Sequence, residues 1–442
     1  MAEDCGEFRP FITTWKTDND GASNDNQITI PTEGGGYEYD VYWEDTTDSS
    51  INGTETGNTG DLTITFPSAS TYRVEITGDF PRIFINDEGD KEKILTIEQW
   101  GDVAWNSMED AFFGASNLTY NATDAPNLSL VTNLSSMFSV FPAGSSFNGD
   151  LSNWNVSTVT DMSAMFSGAT TFNGNVGTWD VSSVTDMSFM FNNASSFNGD
   201  LSEWDVGKVT NMRNMFAGAS SFNKDVSVWD VQSVTNMRRM FLSASSFNGD
   251  LSDWDVSSVE SMYAMFAEAS SFNSDLSDWD VSSVRSMVFL FSGASSFNED
   301  LGNWDISGIT NSNANVGMNS MFDNSGLSTE NYDNTLIGWE AQSVQNDIEL
   351  GAAGLTYCSG QAARQALIDD HNWTINDDAL AESCGEFRPF ITTWKTDKPG
   401  DSNDDQIEIP SLQSRGYEYD YDVYWEKIAA PLDKRNGNGQ SR

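Results

Sequence analysis

The sequence predicts an α/β solenoid of about nine stacked coils that follows an N-terminal all-β sandwich. Two observations predict this fold. A tryptophan recurs every 25 residues from Trp154 to Trp304, and a phenylalanine keeps the same step from Phe147 to Phe297. Before residue 89, apolar and polar residues alternate in short segments that Gly-, Asn- and Thr-rich turns separate. An uninterrupted period of roughly 20–29 residues is typical of stacked repeats, and alternation is typical of half-buried strands.

Residues 1–88 are predicted to form the sandwich. Residues 37–43, 63–66 and 72–76 alternate with the two-residue period of strands that are buried on one face. A segment of about 80 residues is long enough for a small antiparallel sandwich.

Residues 89–326 are predicted to hold the coils, with the unit F-N-x-D-L-S-x-W-D-V-S-S-V-T-x-M-x-x-M-F-x-x-A-S-S. Segments such as residues 200–204 are expected to form short strands that pair in parallel between coils. Segments such as residues 184–191 are expected to form short helices, with Thr185 as the N-cap. Irregular copies at both ends would cap the stack. We expect residues 327–383 to close it, with a helix at residues 362–370 and a strand at 373–375.

The segment at residues 384–426 is a partial copy of the first domain. Residues 384–397 match residues 5–18, and the match ends before an unrelated tail at residues 427–442. A partial sandwich leaves strand edges unpaired. We therefore expect either a longer tandem array or head-to-tail strand exchange between chains.

The chain has three cysteines. Cys358 and Cys384 lie 26 residues apart, on either side of the closing segment, which indicates a disulfide between them. Cys5 is equivalent to Cys384, so its partner would lie in a preceding copy of the module. The alternative is three free thiols. A disulfide would indicate an extracellular setting.

Position 2 of the repeat is asparagine in all seven regular copies. We expect a structural ladder, in which each amide satisfies backbone groups of neighbouring coils, and ligand contact is the alternative. The members of this ladder are Asn148, Asn173, Asn198, Asn223, Asn248, Asn273 and Asn298.

Position 9 is aspartate in six copies. One interpretation is a turn in which each carboxylate binds the backbone two residues later. The other is a weak calcium ladder, because Ca²⁺ prefers carboxylate oxygens. Apart from this weak calcium site, we expect no cofactor. The residues concerned are Asp180, Asp205, Asp230, Asp255, Asp280 and Asp305.

Composition excludes several classes of function. Asp and Glu total 67 against 21 Lys and Arg, a formal net charge of −46, which argues against nucleic-acid partners and anionic membranes. The sequence contains no run of 18 apolar residues, so no membrane-spanning segment is predicted. The N-terminus has no apolar signal segment. The single histidine, His371, excludes multi-histidine zinc sites. Paired carboxylates could serve a glycosidase, but no unique pair stands out, so we expect no enzyme.

The unit W-D-V-S-S-V-T-x-M-x-x-M-F-x-x-A-S-S-F-N resembles the 25-residue repeat of BspA-type bacterial surface proteins and of mycoplasma/Listeria-type lipoproteins, over roughly residues 93–326. This resemblance implies a leucine-rich-repeat-like solenoid on the cell surface, with adhesion as its activity. Residues 8–85 more distantly resemble the PKD-type immunoglobulin-like domain.

We therefore expect a non-catalytic, extracellular or cell-surface protein that binds a glycan or protein ligand through its repeats. The alternative is a building block of a surface layer or filament, in which tandem modules self-associate head to tail. Variation at position 7 of the repeat favours recognition. That position holds Asn153, Thr178, Glu203, Val228, Asp253, Asp278 and Asn303.

Overall fold

The N-terminal part of the chain is built from strands, as its alternating pattern predicts. A computed structural model describes residues 8–140, 144–310, 316–382 and Cys384. All of these residues belong to a single compact unit. The N-terminal strands are β1 (Phe11–Lys16), β2 (Gln27–Ile30), β3 (Glu38–Asp45), β4 (Asn52–Asn58), β5 (Leu62–Thr65), β6 (Thr71–Asp79), β7 (Ile94–Gln99) and β8 (Thr119–Tyr120).

Six of these strands form one sheet in the order β4-β3-β6-β1-β7-β8, and β2 pairs with β5 in a second sheet. Strand β3 shows why the alternation predicts a strand, because Tyr39, Val41 and Trp43 are buried while the intervening residues are exposed or half-buried. Their rings meet aromatic neighbours, and Trp43 packs edge-on against Phe66 at a centroid distance of 5.0 Å. Phe66 directly follows β5 of the second sheet, so this contact joins the two sheets, and aromatic contacts of this kind stabilise their packing.

The large sheet continues beyond residue 88 into the region where the sequence predicts the repeats. Strand β7 pairs antiparallel with β1, and β8 pairs parallel with β7, so this sheet is mixed. A buried ion pair lies beside the junction, where the Lys93 ammonium group is 3.8 Å from Asp90. The ammonium group also donates to Ser23 Oγ and to three backbone carbonyl groups, so the buried charge is fully hydrogen-bonded.

The prediction of an α/β solenoid is wrong, and so is the leucine-rich-repeat assignment that accompanied it. The described residues contain only two α-helices, α1 (Thr329–Glu340) and α2 (Gln361–His371), and both follow the repeats. The multi-stranded sheet is antiparallel and mixed, and it lies before the regular repeats. Within residues 144–310 the described chain forms turns, and isolated parallel bridges replace the predicted strands.

Backbone geometry explains why residues 184–191 are not a helix. Phe189 has a φ of 59°, in the left-handed region that a right-handed helix excludes. Its amide donates to the carbonyl group of Arg213 in the next repeat, at 2.8 Å, rather than to a residue one turn earlier. The predicted N-cap, Thr185, instead donates its hydroxyl to the carbonyl group of Thr160 in the preceding repeat. Apolar spacing that suits a helix thus also suits a series of tight turns.

Neighbouring repeats stack in register, one 25-residue step apart. Isolated bridges join Asp161 to Asp186, and Asp186 to Asn211, and continue in this way along the stack. Aromatic side chains form continuous rows in the core, and Phe172 stacks on Phe197 at 5.9 Å with an angle of 1° between the rings. The core is therefore held by the same contacts repeated many times.

The chain after the repeats combines the two helices with short parallel strands. The strands are β9 (Glu349–Gly351), β10 (Thr356–Tyr357), β11 (Thr374–Asn376) and β12 (Ala379–Leu380), paired as β9 with β11 and β10 with β12. Ser328 caps α1 by accepting a hydrogen bond from the amide of Asn331. Helix α2 contains the predicted helix at residues 362–370, whereas α1 was not predicted. No helix in the described part of the chain has the length and apolar character that crossing a membrane requires.

Candidate functional site

The position-9 aspartates lie on the surface, and each one closes its own turn. Oδ1 of Asp280 accepts from the amide of Ser282 at 3.0 Å and from its hydroxyl at 2.6 Å. The other five position-9 aspartates also accept from the amide two residues later. Side-chain and backbone hydrogen bonds from Ser182 lower the pKa of Asp180, and those from Ser257 lower the pKa of Asp255. This geometry matches the turn interpretation.

The same aspartates show little that would hold calcium. Across the described ranges, no group of three or more His, Cys, Asp or Glu side chains is arranged to bind a metal ion. One oxygen of each position-9 carboxylate is already engaged by its turn. These carboxylates therefore serve their turns, and the calcium ladder stays a prediction.

The position-2 asparagines form a hydrogen-bonded row along the stack. The side-chain oxygen of Asn223 accepts from the amide of Asn248 at 2.9 Å, and the same bond joins each asparagine from Asn148 to Asn298 to the next. At the end of the row, Asn298 accepts from the amide of Ser328. These side chains are exposed or half-buried rather than fully buried, so the row tethers repeats at the surface.

Cys358 and Cys384 are joined by a disulfide, with a Cα–Cα distance of 5.2 Å. The amide of Cys358 also donates to the buried carboxylate of Asp333, which ties the disulfide to α1. Cys5 and residues 385–442, which include most of the partial copy, lie outside the described residues.

A second surface feature was not predicted. Between the paired methionines of successive repeats, positions 17 and 18 carry three arginines and three aromatic residues. We call this group the arginine patch; it consists of Phe189, Arg213, Arg238, Arg239, Tyr263 and Phe289.

Ring contacts hold the arginine patch together. The guanidinium carbons of Arg238 and Arg239 lie 4.6 and 5.1 Å from the ring centre of Tyr263. The guanidinium carbon of Arg213 lies 5.3 Å from the ring centre of Phe189. Tyr263 meets Phe289 edge-on at 5.8 Å. Guanidinium groups at these distances gain cation–π attraction while their N–H edges can still point to solvent.

Backbone hydrogen bonds between repeats fix the spacing of the patch. The amide of Phe189 donates to the carbonyl group of Arg213 at 2.8 Å, and the amide of Arg239 donates to that of Tyr263, also at 2.8 Å. The amide of Asn214 donates to the carbonyl group of Arg238 at 2.9 Å, which links the two arginine-bearing repeats. The patch therefore lies on a rigid surface.

Position 18 has a positive φ in successive repeats, so the backbone itself favours particular residue types there. Phe189, Arg239 and Phe289 have φ values of 59°, 56° and 59°. For residues with a Cβ atom this conformation costs about 1–2 kcal/mol, and asparagine, which occupies the same position as Asn214, accepts it more readily. Backbone preference therefore does not explain bulky side chains at these positions.

The patch arginines are unpaired cations in a strongly acidic chain. Their guanidinium groups make no ion pair or hydrogen bond with any described residue. Burial lowers the pKa of Arg238, and the charges of Arg213 and Arg239 lower it further. Residues 101–326 contain six basic residues, and half of them converge here. Such a cluster attracts an anion.

The sequence analysis takes variation at position 7 as a sign of recognition. In the structure, the side chains at this position do not form a site with a common chemical character. All seven side chains are exposed, but they share no common character. Val228 is the most apolar of them, with 67% of its surface exposed. The signal that was available lies at positions 17 and 18. Arg213 and Arg238 are one repeat apart, and such residues lie side by side once the repeats stack.

Comparison with known proteins identifies a family. A family model described as "Mycoplasma protein of unknown function, DUF285" matches residues 106–229 and, in a second copy, residues 211–334. Together the two matches span more than half of the chain and include the whole arginine patch. Neither a curated protein nor a solved structure matches this chain.

Proposed function

Because the chain belongs to the family described as Mycoplasma protein of unknown function, DUF285, we propose that it is a non-catalytic cell-surface module that recognises an extracellular partner through its repeats. The link to BspA-type surface proteins and the PKD-like character of the first domain are parts of this proposal. The Cys358–Cys384 disulfide supports an extracellular setting, since disulfides persist in oxidising compartments.

The arginine patch is the observation that carries the proposal. Three cations without carboxylate partners among the described residues lie over half-buried aromatic rings on a rigid stack, and Arg213 and Phe289 of the patch are exposed. Within a chain of net charge −46, this is a local reversal of surface charge. Exposed arginine and aromatic side chains are enriched at recognition surfaces.

A non-catalytic role agrees with how the carboxylates are used. Acidic side chains at positions 4 and 9 are bound by the amides of their own turns, as Asp250 is by Ser252. The single histidine, His371, contacts the side chain of Asn346 at the end of α2. Neither arrangement places an acid and a base around a common point.

Binding of the full chain to immobilised extracellular partners tests this proposal. Beads coated with the chain should adhere to surfaces that carry glycans or matrix proteins. The double charge reversal Arg238→Glu with Arg239→Glu should abolish adhesion, whereas Lys208→Glu, a single reversal outside the patch, should not. Antibody labelling of intact source cells tests surface location. Absence of both adhesion and labelling would contradict the proposal.

The second candidate function is a building block of a surface layer or filament. One observation favours it: the disulfide joins the closing segment to Cys384, the first residue of the duplicated segment. A repeated junction of this kind would cross-link the closing segment of each module to the start of the next one, in addition to the backbone that joins them. Light scattering across a dilution series tests it, because concentration-dependent chains or rings would favour this role, and a constant monomer would oppose it.

A further inference from the structure

We propose that the arginine patch binds a sugar that carries a single carboxylate or sulfate group. Arg238 and Arg239 would hold the anion, and Phe289 would contact the sugar ring. This inference rests on the proposed recognition function and names the class of ligand.

The arrangement of the guanidinium groups favours a planar or tetrahedral oxyanion. A guanidinium group donates in a fixed fork that fits two oxygens of a carboxylate or sulfate. Arg238 and Arg239 are adjacent in sequence and both lie on the ring of Tyr263. Arg213 lies one repeat away, within electrostatic reach of Arg238. Stacking on rings lowers the entropy lost when these side chains close on an anion.

Phe289 favours a sugar over a free ion. Its side chain is 38% exposed, and it meets edge-on, at 5.8 Å, the ring of Tyr263, over which Arg238 and Arg239 lie. An exposed ring that one aromatic side chain separates from two guanidinium groups can contact the apolar face of a ligand whose anionic substituent reaches those groups. The C–H groups on one face of a pyranose ring provide such an apolar face, and the electron-rich face of an aromatic ring attracts them.

The overall charge favours a ligand with few negative charges. A polyanion such as a nucleic acid or a long sulfated polysaccharide would be attracted by only three arginines and repelled by the rest of a chain of net charge −46. At physiological salt a charge acts over only about 8 Å, so a single anionic group held at the patch is attracted mainly by the arginines, whereas the other charges of a polyanion would lie over the acidic surface around it. A protein partner would need a larger apolar surface than Phe289 provides.

Isothermal titration calorimetry with the full chain tests this inference. The probes are lactose sulfated on its galactose, a disaccharide that ends in glucuronic acid, neutral lactose, inorganic sulfate and a matrix protein. The acidic sugars should bind, and neutral lactose should not. Arg238→Gln with Arg239→Gln should weaken binding at least about tenfold, because hydrogen bonds to charged groups are lost. Lys208→Gln removes a charge outside the patch and should have no effect.

Two further variants separate the roles of the residues. Arg238→Lys with Arg239→Lys keeps the charge but loses the fork, and it should retain only part of the affinity. Phe289→Ala should weaken the acidic sugars severalfold and leave binding of inorganic sulfate unchanged. Equal melting temperatures of these variants and the unaltered chain show that folding is intact.

Each other outcome overturns the inference in a different way. If inorganic sulfate binds as tightly as the acidic sugars, the patch is a simple anion site. If neutral lactose or the matrix protein binds and the glutamine variant binds equally well, the inference fails while the proposed function stands. If the glutamine variant abolishes self-association seen by light scattering, a second copy occupies the patch. If no probe binds, the inference fails, and the adhesion and labelling experiments decide separately whether the proposed function stands.

Discussion

The indole nitrogen of Trp204 donates a hydrogen bond of 3.0 Å to the backbone carbonyl oxygen of Val176, which lies 28 residues earlier in the chain. The same bond recurs from Trp179 to Trp304, each time to the residue 28 positions back. Each tryptophan thus packs in its own repeat and satisfies a buried acceptor of the preceding one. The repeating tryptophan therefore sets the register of the stack as well as filling its core.

Replacing Trp204 by phenylalanine should destabilise the stack. The substitution removes one of the two donors to the buried carbonyl group of Val176, which keeps the amide of Trp179 at 3.2 Å. Losing this hydrogen bond costs about 0.5–1.5 kcal/mol, and the smaller ring opens space between the rings of Trp179 and Trp229. Thermal unfolding followed by circular dichroism should show a lower Tm. The control is Val228→Ala, an exposed position in the next repeat. Equal melting temperatures for the two variants would contradict this role for the indole.

Removal of the disulfide should loosen the closing segment. Cys358→Ser with Cys384→Ser frees a loop of 26 residues, and cross-links of this length contribute about 3 kcal/mol. The double variant should unfold at a lower temperature than the unaltered chain, and dithiothreitol should lower the Tm of the unaltered chain alone. Cys5→Ser is the matched control and should keep the sensitivity to dithiothreitol. A Tm of the unaltered chain that is unchanged by reductant would contradict the prediction.

Asp45 should make a pH-dependent contribution to stability. Hydrogen bonds from Ser70 and Thr47 lower the pKa of this carboxyl group to about 2, from the ordinary value of 3.8. Because the folded pKa is depressed, the contribution is fully present above about pH 4 and is lost as the pH falls through about 2. The Tm gap between the unaltered chain and Asp45→Asn should be wide at pH 7 and close near pH 2. Asp253→Asn, at an exposed position, is the matched control. A gap for Asp45→Asn that is constant with pH would contradict the assignment.

Salt should stabilise the chain without a specific effect of calcium. A net charge of −46 repels itself, and added ions screen this repulsion, so the Tm should rise from low to high sodium chloride. Calcium chloride at matched ionic strength should give nearly the same Tm, because the position-9 carboxylates already bind their own turns. A much larger rise with calcium would support the calcium ladder instead, and a flat or falling Tm with salt would contradict the role of repulsion.

Many of the core side chains could be predicted from the sequence, whereas the backbone conformation of the repeats could not. Alternation at Tyr39, Val41 and Trp43 predicts β3 because one face of a strand is buried and the other is not. The fixed period of Phe172 and Trp179 predicts rows of core side chains. Apolar spacing alone does not distinguish a helix from a chain of turns, and the left-handed conformation of Phe189 decides between them.

The arginine patch was missed for a different reason. Arg213 and Arg238 stand at positions that vary from repeat to repeat, so their separation by one repeat was the only signal for it in the sequence. The contact of an arginine with the ring of Tyr263 depends on the distance between turns of neighbouring repeats. The wrong α/β interpretation gives short helices at these positions, and therefore a different distance between the side chains. Only with the hydrogen bonds between repeats in place do these side chains form one surface.

The most direct test of the arginine patch compares the affinity of the full chain for galactose-sulfated lactose before and after Arg238→Gln with Arg239→Gln, by titration calorimetry at physiological salt. We predict that the double variant binds at least about tenfold more weakly at unchanged Tm, and that Lys208→Gln binds as the unaltered chain does. Equal affinity for all three proteins would contradict the assignment of the arginine patch as the binding surface.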